Sequence, residues 1–182
     1  MNLDISKSPF LTIGDAEIAR NETKYFYDGD YLAEVMDVKL VDSTHPNTIG
    51  QKMIFIETNV LEVLVDKGTW TNGRGEQVSS TQAGETATIC IKLAWSKWDQ
   101  YMKAFLCAAC KITPAQAAEI SAAKWIEFTE KACFHLGDTS EAFDVSEWTE
   151  QPLKGAQLKI TATTIKTNSG HDFTKIGYAA TE

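Results

Sequence analysis

TATICIKLAWSKWDQYMKAFLCAA, residues 86–109, changes its period in mid-run. From Thr86 to Ala94, Ala87, Ile89, Ile91 and Leu93 alternate with Thr86, Thr88, Cys90 and Lys92. That is a strand with one apolar face. From Trp98 onward, Tyr101, Met102, Phe105, Leu106 and Ala109 recur at spacings of three and four. That is the stripe of an amphipathic helix. What flanks this switch decides the fold.

Upstream lie two long strand candidates, Gly29 to Val41 and Gln51 to Leu64. Each is apolar on both parities: Leu32, Met36, Val38 and Leu40 against Tyr31, Ala33, Val35 and Val41, then Met53, Phe55, Leu61 and Val63 against Ile54, Ile56, Val60 and Leu64. A strand of that kind bends and changes its buried side along its length. Between the second and third strands, Asp66 to Glu85 is polar and holds Trp70, Asn72-Gly73 and Arg74-Gly75. It reads as one long loop or as a small hairpin turning at Asn72-Gly73. Downstream, Thr113-Pro114-Ala115-Gln116 carries the signals of a helix start: N-cap, proline in the first helical position and a capping-box glutamine. The stripe of that second helix is Ala118, Ser121, Trp125, Phe128 and Ala132. Ala156 to Ile165 and His171 to Tyr178 complete the strands, joined through Lys166-Thr167-Asn168-Ser169-Gly170.

The order is strand, strand, strand, helices, strand, strand. The expected fold is mainly β with an α insertion: a five-stranded OB-like Greek-key barrel with two helices between strands three and four. Residues 1–28 read as an N-terminal arm, and residues 29–182 as a single OB-like domain with a helical and acidic insertion at about 95–152.

Parts of the chain resemble a known family. Gly29-Asp30-Tyr31, a strand ending near Lys39, then Gly50-Gln51-Lys52-Met53-Ile54-Phe55-Ile56-Glu57 and Val60-Leu61-Glu62 are similar to the strand pair of small bacteriophage single-stranded DNA-binding proteins, GxY…(K)…G…FFIxExxVL. The closing Pro152-Leu153-Lys154-Gly155 and Lys166-Thr167-Asn168-Ser169-Gly170-His171-Asp172-Phe173-Thr174 are similar to their PLxGxxxxVxxxxxxTKxGxxFT ending. The resemblance covers about half of the chain, at its two ends. It implies sequence-tolerant binding of single-stranded DNA in phage replication or recombination, with replication or recombination proteins as further partners. The tail, Gly177 to Glu182, is unlike the long acidic tail by which many such proteins recruit those partners.

Binding single strands needs cations for phosphates and aromatic faces for bases. The candidates are Lys52 and Phe55 on the second strand, Trp70 and Arg74 in the long polar stretch, Lys92 on the third strand, and Lys166, His171, Phe173 and Lys175 around the last hairpin. Phe55 and Phe173 read more readily as core than as a binding platform, and Lys92 and Lys175 read also as plain surface. Trp95, on the inward parity of the third strand, and Trp98, on the helical stripe, read as core. The formal charge of −8 opposes a nucleic-acid partner. Its distribution softens that objection: residues 127–150 hold seven acids and one base, while residues 151–182 hold four lysines and two acids. The acidic 127–150 segment, with Phe143 and Trp148, supports a rival reading as a protein-interaction or DNA-mimic module.

Other classes find little support. There is no phosphate loop, no GxSxG and no HExxH, so an enzyme is not expected and no cofactor is implied. Cys107-Ala108-Ala109-Cys110 with Cys133 and His135 has the residue types of a zinc site, but one C-x-x-C among alanines fits buried thiols as well, and no metal is expected. No run of about 18 apolar residues spans a membrane. The N-terminus lacks the pattern of a secretory leader, which points to the cytoplasm, of the host if the protein is viral. Edge strands make a homo-oligomer plausible.

Overall fold

The computed structural model describes residues 25–44, 46–133, 151–170 and 172–181. Strands β1 (Gly29–Asp42), β2 (Lys52–Asp66), β5 (Thr86–Lys92), β6 (Gln157–Lys166) and β7 (Asp172–Ala180) form one antiparallel sheet in the order β5-β2-β1-β6-β7. β3 (Thr69–Thr71) and β4 (Gln77–Ser79) make a separate hairpin between β2 and β5, the second of the two readings of that stretch. Helices α1 (Trp98–Ala109), α2 (Pro114–Glu119) and α3 (Ala122–Ala132) lie between β5 and β6 in the chain.

The parity change in β1 has a visible cause. Tyr31, Ala33 and Val35 are buried, then Val38, and the register to β2 slips between Val35 and Asp37. The bulge leaves Met36 exposed and turns the next apolar residue back toward the core. β2 buries Ile54, Ile56, Thr58 and Val60, and its register to β1 then skips Leu61, so that Val63 lies opposite the buried Tyr31 and packs on the core: this strand too changes its buried parity. β5 buries Ala87, Ile89 and Ile91, and β6 buries Leu158, Ile160 and Ala162. Against these inner faces α1 sets Met102, Phe105, Leu106 and Ala108, making one continuous core. Each large apolar side chain so buried contributes about 1.5–3 kcal/mol.

Two turns quoted for the family resemblance have structural explanations. Gly29 has φ +155°, and a Cβ there would meet the Tyr31 ring and the Val65 carbonyl oxygen at under 3 Å. Its missing side chain lets the Tyr31 hydroxyl, itself buried, donate to the Tyr27 carbonyl at 2.7 Å and accept from the Thr81 N–H at 3.1 Å. Gly155, at φ +85°, closes the turn that launches β6, and its N–H donates to the Val35 carbonyl beside the bulge at 2.9 Å.

Three expectations need correction. The insertion holds three helices among the described residues, not two: the second expected helix breaks at Ile120, which is extended, and Ser121 caps a new one. Ala118 and Ser121 are accordingly exposed, while Trp125 and Ala132 keep their place in the core. The sheet does not close, because among the described residues β5 and β7 share no ladder. Instead Tyr25 forms a parallel bridge to Thr88 on the free edge of β5, and the Trp95 ring stands edge-on against Phe173 of β7 with centroids 5.4 Å apart. Finally, the arm joins the domain before residue 29, since Phe26 is 2% exposed within the core. Residues 1–24 and the acidic stretch 134–150 lie outside the described residues.

Candidate functional site

The open seam between β5 and β7 is a cleft of about 510 Å³. That volume lies within the range of about 300–1,000 Å³ usual for small-ligand sites. Its floor is apolar, with the buried Ile89 and Ile91 of β5 facing Ile176 and Tyr178 of β7. Its walls carry the rings of Tyr25, Trp95, Tyr101 and Phe173. Lys92, Arg74 and Asp172 bring the charges.

Trp95 was expected in the core and is not there. β5 stops at Lys92, and a turn in which the Trp95 N–H donates to the Lys92 carbonyl at 3.0 Å re-aims the indole. The ring is half-buried, in edge contact with Tyr101 at 6.2 Å and with Phe173. Neither neighbour covers it in a parallel stack. Trp98 packs on the core, as expected.

Arg74 reaches the cleft from the turn of the β3–β4 hairpin. Asn72 shapes that turn, its side-chain oxygen accepting from the N–H groups of Arg74 and Glu76. The hairpin is anchored at its tip, where the Gly73 N–H donates to Asp172 Oδ2, and at its base, where Ser80 Oγ donates to the Asp28 carbonyl and accepts from the Lys67 N–H. Among the described residues neither Arg74 nor Lys92 has an ion-pair partner. Burial raises the Cys90 thiol pKa, and Lys92 beside it partly offsets that rise. Burial likewise raises the Tyr25 phenol, with Cys90 adding to the effect.

Of the residues singled out from the sequence, Arg74, Lys92 and Phe173 come together at this cleft. Phe55 is half-buried on the outward parity of β2, directly opposite Lys39 on one side and Cys90 on the other, so it adjoins the cleft without lining it. Trp70 is also half-buried; it stands on β3, edge-on to Tyr27 at 6.2 Å, outside the cleft lining. Lys52 is exposed and bridged to Asp42 at 3.2 Å. Lys166 and Lys175 are exposed on β6 and β7 and are not part of the lining, although Thr174 and Ile176 on either side of Lys175 are. His171 lies outside the described residues, as does His135. Sequence reasoning missed Tyr25, Trp95 and Tyr101.

Among the described residues no three His, Cys, Asp or Glu side chains gather as a metal site. Cys107, Cys110 and Cys133 are free thiols, and burial pushes Cys133 up to about 12. No described helix is long and apolar enough to cross a membrane. No protein-family model matches the chain, and no curated protein matches it in sequence.

Proposed function

We propose that this chain binds single-stranded DNA without strong sequence preference, as an OB-like protein of replication or recombination, and that the bound strand runs along the outward face of β2 and β5 into the cleft between β5 and β7. One observation carries the reading. A chain of net charge −8 nonetheless collects two cations, Arg74 and Lys92, that have no ion-pair partner among the described residues, beside four aromatic rings in one cleft. Cations for phosphates and rings for bases are the two requirements of sequence-tolerant single-strand binding.

The topology supports the same reading. β6 returns through a long connection to lie beside β1 at the far side of the β1-β2-β5 meander, which is Greek-key order. OB barrels of that connectivity, partly open, bind oligonucleotides on the face of their second and third strands. Those positions are held here by β2 and β5. The bacteriophage resemblance at the two ends of the chain points the same way.

The rival reading, docking of a basic partner on the acids of residues 127–150, gains nothing from the described part of that segment. Glu127 is already bridged to Lys124 at 2.7 Å and to Lys131 at 2.8 Å. The test between the two is an oligo-dT titration followed by tryptophan fluorescence at low and moderate salt, with duplex DNA as control. Quenching that salt reverses supports the proposal. No quenching and no mobility shift at tens of micromolar protein in low salt would overturn it.

A further inference from the structure

The floor of the cleft holds a polar group that the fold does not use. The Tyr178 ring packs inward, with Phe105 at 5.8 Å, and lies opposite Ile160 on β6. Its hydroxyl oxygen is closed off from water and has no hydrogen-bond partner among the described residues. Leaving such a group unpaired is costly, and most buried polar atoms avoid it. Tyr178 lines the cleft between β5 and β7, which share no ladder among the described residues. Parting the two strands to admit a ligand therefore breaks no backbone hydrogen bond between them.

We infer that the cleft takes one unstacked nucleobase of the bound strand, laid against the Trp95 ring with its polar edge reaching the Tyr178 hydroxyl, while Arg74 and Lys92 hold the flanking phosphates at the rim. The inference rests on the single-stranded DNA reading and adds a specificity-determining residue to it. Three features select this occupant. The apolar floor and the rings suit a flat aromatic ligand. The rim cations, without an ion-pair partner among the described residues, ask for an anion next to it. The phenol, donor and acceptor at once, asks for a group that can hydrogen-bond from inside an apolar slot. A nucleotide in a strand supplies all three. A backbone of sugar and phosphate alone satisfies only the cations.

The consequence is a modest preference among bases in an otherwise tolerant binder. Stacking on Trp95 favours any base, whereas the Tyr178 hydroxyl favours those whose edge pairs well with it.

The test compares twelve-residue oligonucleotides of dT, dC, dA and dG with an abasic strand of equal length and charge, on wild-type protein and on Tyr178→Phe, by tryptophan fluorescence and mobility shift. The abasic strand should bind wild type at least about tenfold more weakly than the best base, the scale of one lost stack. Tyr178→Phe should bind that best base about two- to tenfold more weakly, the scale of one hydrogen bond. It should flatten the ranking of the four bases, with the salt dependence unchanged. The variant removes an unpaired buried hydroxyl and keeps the ring, so its urea midpoint should equal or exceed that of wild type. A purely structural role for Tyr178 leaves the ranking intact, and that result overturns the inference. Equal binding of abasic and dT strands overturns it as well while leaving single-strand binding in place. If wild type binds none of the strands, the single-stranded DNA reading falls and the inference falls with it.

Discussion

Gly73 and Asp172, ninety-nine residues apart in the chain, are joined by a hydrogen bond from the Gly73 N–H to Asp172 Oδ2 at 3.0 Å. The bond ties the tip of the β3–β4 hairpin to the first residue of β7 and so holds Arg74 at the mouth of the cleft. The same carboxylate is the acid of the cleft lining, so under the proposed reading it would oppose a phosphate bound there.

Those two roles separate by substitution. Asp172→Asn keeps an oxygen to accept the Gly73 N–H and removes the negative charge. Oligo-dT affinity should then rise about two- to threefold at low salt, the size of one screened like-charge contact several ångströms away. Asp172→Ala removes the anchor as well. It should lose hairpin order, seen as faster amide exchange at Arg74 and Glu76, and should fall short of the gain made by the Asn variant. Equal affinities for wild type and Asp172→Asn would show that the bound strand does not pass this carboxylate.

Gln151 holds the far end of the insertion to the sheet. Its Nε2 donates to the Val38 carbonyl at 2.8 Å and to the Ala132 carbonyl at 2.9 Å, with Asp37 Oδ1 at 3.4 Å. One amide thus joins the last residue of α3 to β1. Gln151→Glu puts an acceptor against two carbonyls and a carboxylate. It should destabilise the protein by about 1–3 kcal/mol, read as a lower urea midpoint at unchanged m. The deficit should shrink as pH falls toward about 4, because the two carbonyls and Asp37 make the new carboxyl take up its proton in the folded chain above its ordinary pKa of about 4.3. A pH-independent deficit would mean that the shape of the side chain matters and its donor does not.

How much of this was legible in the sequence follows from the range of each signal. Strand positions were legible because alternation is local, and the doubled parity of Gly29 to Val41 announced the bulge at Val35 and Asp37. The break at Ile120 was hidden, because the stripe from Ala118 to Ala132 runs across it and Ser121 lacks a glutamate or glutamine three residues on to flag a new cap. The cleft was only half legible. Arg74, Lys92 and Phe173 could be proposed by residue type. Trp95 could not, because its place depends on a turn after Lys92 and on Phe173, far along the chain. Nor does composition tell a paired lysine from an unpaired one: Lys39 and Lys52 are bound to Glu57 and Asp42, Lys92 to no acid among the described residues.

Thiol chemistry gives a check on the core that is independent of any ligand. Cys110 is exposed, whereas burial pushes Cys133 up to about 12 from a usual 9.0. A thiol reagent at pH 8 should label Cys110 first and Cys133 last, and all four cysteines at similar rates in urea. The same shift links stability to pH. Below pH 9 both folded and unfolded chains keep the Cys133 proton. Between pH 9 and about 12 the unfolded chain releases it and the folded chain does not, so stability falls as pH rises. Cys133→Ala should show a shallower decline through that window than wild type. Identical slopes would place Cys133 in water.

The salt dependence of binding should sort the cleft residues by what they touch. Each phosphate neutralised by a lysine or arginine releases condensed counterions and adds about 0.7 to the slope of log K against log salt on a single strand. Arg74 and Lys92 have no ion-pair partner among the described residues and stand at the cleft, so Arg74→Ala and Lys92→Ala should each weaken oligo-dT binding and flatten the slope by about that amount. Lys52 is bridged to Asp42 and lies off the lining, so Lys52→Ala should leave the slope nearly unchanged. Stacking releases no counterions. Trp95→Ala should therefore lower affinity by about 1–3 kcal/mol at every salt concentration, shifting the line without tilting it. Trp70→Ala should shift it less, since that ring packs on Tyr27 outside the lining. A slope that survives the loss of both Arg74 and Lys92 would mean that the phosphates lie elsewhere, and the exposed Lys166 and Lys175 at the last hairpin would be the next residues to replace.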